Sequence, residues 1–407
     1  MKRMNTNSLS ILCSLLLLLP CAISAGDEEI TLLRTIDIPG TQLDRSGLHQ
    51  EIEPEIRHDQ FGGISGLAYT GKDNLYVALP DRGPKDGAVD WTCRFHLMRI
   101  DANPSKSVDE SFSIEKTILF ESAGKRFGGL STHYQESDSE NVRLDPEGIR
   151  VDGDGNVWIS EEYGPVVLQF SNTGKKLADF DVPAKFNIQN PGPDKAAENA
   201  NNESGRQGNR GMEGLAISKD GKFLFGLMQS PLLQDCRRNE KGKPKGLNCR
   251  LLKMEIKTGA TTEYLYRLDN EKNKLNEILN VGDGQFLVIE RDGEIGQNAK
   301  FKKIMKIDLT DATPIENLDK LPADDLPTGV TAIKKEVLID LLDPKFGLLG
   351  SDMPEKIESL AFGPDLPDGR KLLHVASDND FDKSWPTKIY CFAIGSKKSE
   401  LKKVSSR

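Results

Sequence analysis

Apolar positions in this chain come in short runs split by Asp/Gly turns, and the runs arrive in pairs. The clearest pair is Gly148-Ile149-Arg150-Val151, the turn Asp152-Gly153-Asp154-Gly155-Asn156, and Val157-Trp158-Ile159-Ser160. Such turn residues supply the positive φ that a tight hairpin needs. Comparable pairs start at Ile64 and Leu75, Met212 and Phe223, Leu275 and Phe286, and Ile357 and Leu372. Ser65, Glu147, Glu213, Glu277 and Glu358 mark one place in the five copies, 64 to 82 residues apart. Each interval holds further apolar runs, such as 166–170 and 177–182. Four short strands per unit predict an all-β fold, a β-propeller of four-stranded blades. Five repeats are counted, and the longest intervals leave room for a sixth.

The fifth unit runs out after its third strand, 388–394, and a polar tail follows. A spare strand, Ile30-Thr31-Leu32-Leu33-Arg34-Thr35-Ile36-Asp37-Ile38, is expected to complete that blade and close the ring, which would remove an exposed sheet edge. A separate hairpin is the alternative. Helical periodicity is nearly absent; 336–342 is the best short candidate.

Lys2 and Arg3, the apolar run 9–19 and Ala22-Ile23-Ser24-Ala25 form a secretory leader, too short to span a bilayer. The expected organisation is a signal peptide at 1–25, one propeller domain at 26–400 and a polar tail at 401–407. Export to the periplasm or the exterior follows, with a lipid anchor at Cys21 as the weaker reading. The chain carries 54 basic and 63 acidic residues, a formal charge of −9. That balance argues against nucleic-acid and anionic-membrane partners. No second stretch reads as transmembrane. Four cysteines remain after the leader, and Cys236 with Cys249 is the expected disulfide, leaving Cys93 and Cys391 as a pair or as buried thiols. Asn202-Glu203-Ser204 is a glycosylation sequon.

In a propeller the A–B and C–D turns share one face, and the B–C and D–A connections share the other. The first set is short here, as at 71–74, 172–174 and 258–259. The second is long, as at 40–62, 81–94, 121–145, 183–211, 230–249 and 379–387. Inserted sequence is therefore expected almost entirely on one face, where function concentrates. Segment 191–210, rich in Pro, Gly and Asn, reads as a mobile loop.

The same face receives the acids. Glu147, Glu213, Glu277 and Glu358 begin inner strands, and Asp81, Glu161, Glu290 and Asp378 end second strands. Two acidic rings are expected around the channel mouth. Bare carboxylates cannot crowd together, so they need cations, protons or arginines. These seven acids other than Glu161 are the candidate ligands for a divalent cation, Ca²⁺ in preference. Purely structural acids that accept backbone N–H groups are the alternative. Arg82 and Arg291 would hold a substrate anion or pair with neighbouring acids. His49, His58 and His133 fall in long-face loops as acid/base candidates or solvated side chains, and His374 reads as structural. Ser65 fails as a nucleophile elbow because no strand-to-helix turn follows it. No phosphate loop, dinucleotide fingerprint or HExxH is present.

The set Gly63-Ile64-Ser65-Gly66-Leu67, Leu79-Pro80-Asp81-Arg82-Gly83, Asp145-Pro146-Glu147-Gly148-Ile149, Ser160-Glu161-Glu162-Tyr163-Gly164, Gly211-Met212-Glu213-Gly214-Leu215 and Ile357-Glu358-Ser359-Leu360 resembles the phytase-like family, described as having esterase-like activity of phytase. The resemblance spans roughly 60–394 and implies an exported propeller with a hydrolase label. Similar propellers of the gluconolactonase type hold a divalent ion at the axis with Glu, Asn and Asp, whereas this chain offers mainly Glu. The expected function is cation-dependent hydrolysis of a small anionic ester, a phosphate ester ahead of a carboxylic ester. Glu161 or Glu162 would act as base, and Arg82 and Arg291 would grip the anion. A non-catalytic propeller holding a protein, glycan or envelope partner is one alternative, and a lactonase-like hydrolase is the other.

Overall fold

The computed structural model describes residues 29–133, 142–282 and 284–396. The leader, Cys21 and the 401–407 tail lie outside them. Five four-stranded antiparallel sheets stand in a propeller ring. Blade one comprises Ile64–Tyr69, Leu75–Pro80, Arg94–Ile100 and Phe112–Leu119. Blade two comprises Pro146–Val151, Val157–Glu161, Val166–Phe170 and Lys176–Phe180. Blade three is built from Met212–Ile217, Phe223–Met228, Asn248–Glu255 and Thr261–Arg267. Blade four holds Lys274–Gly282, Gln285–Arg291, Lys302–Asp308 and Lys334–Asp340. In blade five, Lys356–Phe362, Lys371–Asp378 and Thr387–Ile394 are followed by Ile30–Ile38, which pairs antiparallel with Thr387–Ile394 as the fourth strand.

The core is five apolar layers, each between two neighbouring blades, with a small sixth cluster of Leu265, Ile315 and Leu321 on the outside of blade three. Leu79 and Phe95 of blade one meet Ile149 and Ile159 of blade two, for example, and Leu287 of blade four meets Leu360 and Val375 of blade five. Both faces of the inner two strands of a blade are thus covered, which explains why the second strand Val157–Glu161 is buried throughout instead of alternating. Tight turns finish the hairpins. At 152–156, Asp152 Oδ1 accepts from Asp154 N and Asn156 N at 3.0 Å each, and Gly155 takes φ 80°.

Several expectations are corrected here. Residues 336–342 are not helical: Lys334–Asp340 is the outer strand of blade four, its residues 335–337 and 339 paired across to 304–307. The apolar residues Val337, Leu338, Leu341 and Leu342 are spaced like one face of a helix, which is what the sequence pattern registers. Cys236 and Cys249 form no disulfide, and all four described cysteines are free thiols. Cys249 points into the layer between blades three and four, whereas Cys236 Sγ lies 3.5 Å from Gln207 Nε2 at the root of a surface hairpin. Cys93 and Cys391 sit in different interblade layers, so they cannot meet.

Long connections are not confined to one face. The C–D connection of blade four, 309–333, climbs the outer edge of blade three. Ile315 N and Ile333 N donate to Glu263 O and Leu265 O at 2.9 Å each, covering that edge, and Leu247 N reaches Ala323 O at 2.7 Å. Segment 191–210 is anchored as well. It contains the helix Lys195–Asn201, capped by Asp194, with Glu198 buried. Fully buried Arg206 bonds Glu198 at 2.5 and 3.0 Å and Tyr163 O at 2.7 Å. The sequon residue Asn202 is buried inside the same loop. Its Oδ1 accepts from Gln189 N and Asn190 N at 3.0 and 2.9 Å, and its amide donates to Asn190 O and Glu198 O at 2.8 and 2.9 Å.

Candidate functional site

Every inner strand carries one extra residue near its start. Ile64 faces Pro80 but Gly66 already faces Leu79; Met212 faces Met228 but Gly214 faces Leu227; Ile357 faces Ser377 but Ser359 faces Ala376. Pro146 and Ile149 face Glu161 and Ile159, and Leu275 and Ile278 face Glu290 and Val288. A bulge re-aims its side chain. The bulged residues are Ser65, Glu147, Glu213, Asn276 and Glu358, and they form the inner ring. Blade four therefore contributes Asn276, not Glu277. Asn276 Nδ2 donates to Glu213 Oε1 at 2.9 Å and to Glu358 Oε1 at 3.0 Å, and Ser65 Oγ lies 3.4 Å from Glu358 Oε2.

Glu277 faces down the channel instead. Its Oε1 is 2.8 Å from Arg150 and 2.9 Å from Ile278 N. Burial pushes its carboxyl up to about 7 against the pull of Arg150. Arg150 also lines a hollow of about 750 Å³ that opens on the opposite face beside Asp152, Lys219 and Val281.

The second ring is displaced by one residue in two blades. Asp81, Glu162, Gln229, Arg291 and Asp378 follow directly after the residues facing the bulges. Gln229 Nε2 donates to Glu213 Oε1 at 2.6 Å, and Arg291 meets Glu358 Oε1 at 2.5 Å. Glu161 and Glu290 occupy the alternate positions, and a one-residue shift turns a strand side chain to the other face. Glu161 accepts from Asp145 N, Tyr163 N and Gly164 N at 2.9, 3.0 and 2.7 Å. Glu290 accepts from Tyr266 Oη and Lys335 Nζ at 2.9 and 2.8 Å, away from the axis.

A third layer, two residues before the bulges, holds Gly63, Asp145, Gly211, Lys274 and Lys356. Lys356 is 2.7 Å from Asp378 and also contacts Asp380. Arg82 is paired, 2.5 Å from Asp145 Oδ2, with Asp86 as a second partner. Neither Arg82 nor Arg291 is a free anion clamp: their side chains are 6 % and 1 % exposed and already engaged. Lys274 is different. It is half-buried and forms no ion pair or hydrogen bond among the described residues, and burial, then Arg291 and Arg210, bring its ammonium down to about 8. Arg210 likewise has no ion pair among them, and burial lowers it.

The carboxylates at the axis are strained in the opposite sense. Burial first, then Glu213 and Asp145, holds Glu147 well above the usual range. Burial, then Glu162 and Glu358, does the same to Glu213, whose Oε2 is buried without a donor. Asp145 is pushed up to about 7 by burial and by Glu162, against the pull of Arg82. Glu358 alone is held below the usual range, because Lys356 and Arg291 outweigh its burial. Asp145, Glu147 and Glu162 each bring a carboxylate oxygen to within 4.8 Å of the others, and Asp81, Asp378 and Asp380 do likewise. Lys356 sits against Asp378 and Asp380 of the second trio, and Arg82 against Asp145 and Glu162 of the first, at 2.5 and 3.9 Å, so each trio keeps an excess of negative charge. The first trio offers hard oxygen ligands suited to Ca²⁺ or Mg²⁺, and Glu147 meets no donor among the described residues.

The loop histidines do not join these rings. His49 is 2.9 Å from Asp59, and His58 Nε2 accepts from Thr92 N at 3.0 Å. Burial, then Arg94, lowers His58 to about 4. Sequence reading missed Asn276, Lys274, Gln229, Asp145 and Arg210. Offsets of 0 and −2 from the bulges would have found Asn276, Lys274 and Asp145.

The model of the family described as "Phytase-like: Esterase-like activity of phytase" matches residues 59–381, and the chain belongs to that family. It is 29 % identical over 256 residues to an "Uncharacterized secreted protein" of Arthroderma benhamiae, spanning 54 % of this chain and 48 % of that protein, about half its length. Among solved structures it is similar to a gluconolactonase of Xanthomonas campestris (10 % identity, TM-score 0.37, 90 % of this chain and 97 % of that one). A Dyadobacter fermentans protein of unknown function matches at 13 % identity and TM-score 0.40, covering 89 % and 86 % of the two chains. No helix of the described residues is long and apolar enough to cross a membrane.

Proposed function

We propose that this member of the phytase-like family is an ester hydrolase exported through the 1–25 leader, acting at the axial mouth on a small anionic ester, with phosphate esters ahead of carboxylic esters. One observation carries the reading. Asp81, Asp145, Glu147, Glu162, Glu213, Glu358 and Asp378 exceed Arg82, Arg210, Lys274, Arg291 and Lys356 by two charges if all are ionised, with the solvent-exposed Asp86 and Asp380 left out of the balance. Two protons or one divalent cation would balance them.

Glu147, with Asp145 and Glu162, would hold that cation, Ca²⁺ in preference. When bound it supplies charge neutralisation and a more acidic bound water. Lys274 and Arg210, axial cations with no ion pair among the described residues, meet the substrate anion. Glu161 is occupied by three backbone N–H groups and Glu162 by one, from Gly211 at 3.0 Å, so the Glu162 oxygen turned from the cation takes the proton of the attacking water. Asn276 and Gln229 orient Glu213 beside Glu147 and Glu162, where its carboxylate would help retain the cation.

The inner-ring side chains belong to residues no more than 8 % exposed, which favours a second reading, a binding propeller whose axial acids are structural. Glu213→Gln separates the two. With phosphate ester, carboxylic ester and lactone substrates assayed with and without Ca²⁺, the hydrolase reading expects at least a ~100-fold loss of turnover at an unchanged or higher Tm. Full turnover in the variant would sink the axial mechanism. No turnover by the parent on any ester would leave the binding reading.

A further inference from the structure

A groove of about 580 Å³ lies beside the axial mouth, between the helix Lys195–Asn201 and the surface hairpin whose strands are Arg237–Arg238 and Pro244–Lys245. Lys195, Arg210, Arg238, Lys241, Lys243 and Lys245 line it, and no carboxylate does. This is unusual in a chain of net charge −9 whose surface cations are widely paired. Among the described residues only Lys195 of the six has a carboxylate partner, Asp86 at 3.5 Å. Arg238 spends its guanidinium on the carbonyls of Gly242, Asn199 and Asn202 at 3.1, 3.0 and 3.2 Å, which fixes the hairpin against the helix. The groove is therefore a held shape and not a splayed loop.

Its inner end is Arg210, directly before Gly211, whose N donates to Glu162 Oε1 of the axial ring at 3.0 Å. Groove and axis are thus joined through one peptide link. A single phosphate or carboxylate group cannot fill such a hollow or engage cations spread along it. The complementary ligand is an extended molecule bearing several negative charges along its length.

We propose that this groove is a binding site for a linear oligo-anion, and that it guides the far end of a multiply charged substrate while the near end reaches the axis. The inference rests on the hydrolase reading only for what happens at the near end; the groove itself is argued from its own residues.

The test is binding of linear tripolyphosphate and of inorganic phosphate by calorimetry to the full-length mature protein in Ca²⁺-free buffer at fixed ionic strength. The variant is Lys241→Ser with Lys243→Ser and Lys245→Ser, all on the surface hairpin. Its control is Lys72→Ser with Lys219→Ser and Lys257→Ser, exposed lysines at turns of the opposite face that remove the same charge. The expected result is that the hairpin variant weakens tripolyphosphate at least tenfold while the control changes it less than twofold. Parent protein should bind tripolyphosphate at least tenfold more tightly than phosphate. Equal weakening by both variants, or equal affinity for the two anions, would overturn the proposal by showing only a diffuse charge effect. Because binding is read without turnover, a loss of ester hydrolysis in Glu213→Gln with no groove effect overturns this inference alone. Groove binding with no hydrolysis by the parent overturns only the hydrolase reading.

Discussion

Glu277 and Arg150 form an ion pair at 2.8 Å that joins blade four to blade two across the channel. Arg150 also donates to Leu67 O at 3.0 Å and Ile278 O at 2.6 Å, so one guanidinium ties three blades. Removing one partner of a buried pair strands the other, at a cost of about 3–5 kcal/mol. Glu277→Gln should therefore lower the unfolding free energy by roughly that amount in urea titrations while leaving Ca²⁺ binding intact. Glu213→Gln, which relieves repulsion, should do the reverse.

Stability should depend on pH in a direction set by the axial acids. Asp145 and Asp81 are held near 7 by burial, well above their unfolded value. Folding then binds protons, and the associated stability is full in acid and is lost as pH rises from about 4 through 7, at up to ~1.4 kcal/mol per unit for each group. Melts without divalent ions should fall between pH 5 and 8. Added Ca²⁺ should raise Tm more at pH 8 than at pH 5. An EDTA-insensitive melt at pH 8 would remove the cation from the site.

Lys274→Met replaces a partly desolvated, unpaired ammonium. With its pKa down to about 8, the protonated form destabilises the fold near neutrality, and wild-type stability returns as pH climbs from 8 towards 10. The variant should be more stable than wild type at pH 7 by roughly 1–2 kcal/mol, a margin that closes by pH 10. Phosphate-ester turnover should fall because the substrate anion loses its cation. Lys274→Arg should restore KM in part.

Thiol chemistry should follow burial. Cys93, Cys249 and Cys391 are buried and Cys236 is half-buried, with burial raising Cys236 and Cys391 to about 12. Iodoacetamide should label the native mature protein slowly, and all four thiols only after unfolding. Reducing agent should leave Tm unchanged. A mass shift showing a Cys236–Cys249 crosslink would contradict this.

Asn202 should stay unglycosylated when the mature chain is made in a glycosylating host, because its amide nitrogen already donates to two carbonyls inside the loop. Asn202→Asp should lower Tm by replacing that donor with a charge beside buried Glu198, and intact-mass measurement reads the glycan directly.

By itself the sequence determined the fold class, the five units, the pairing partner of Ile30–Ile38 and the acidic character of one face. These rest on local signals: Asp/Gly turns, apolar runs of strand length, and the missing fourth strand of the last blade. Tertiary structure decided which acids reach the axis. A strand turns over every residue, so one bulged position at the head of each inner strand moves Glu277, Glu161 and Glu290 out of the rings. The same shift brings in Asn276, Glu162 and Gln229. The bulge is set by packing between blades, where Gly66, Gly148 and Gly214 lie so close to the next inner strand that a Cβ would approach backbone atoms to within 2.6–2.8 Å. Partner choice was decided there too: Arg82 and Arg291 found carboxylates, Cys236 and Cys249 faced different surroundings, and Lys274 was left without a partner.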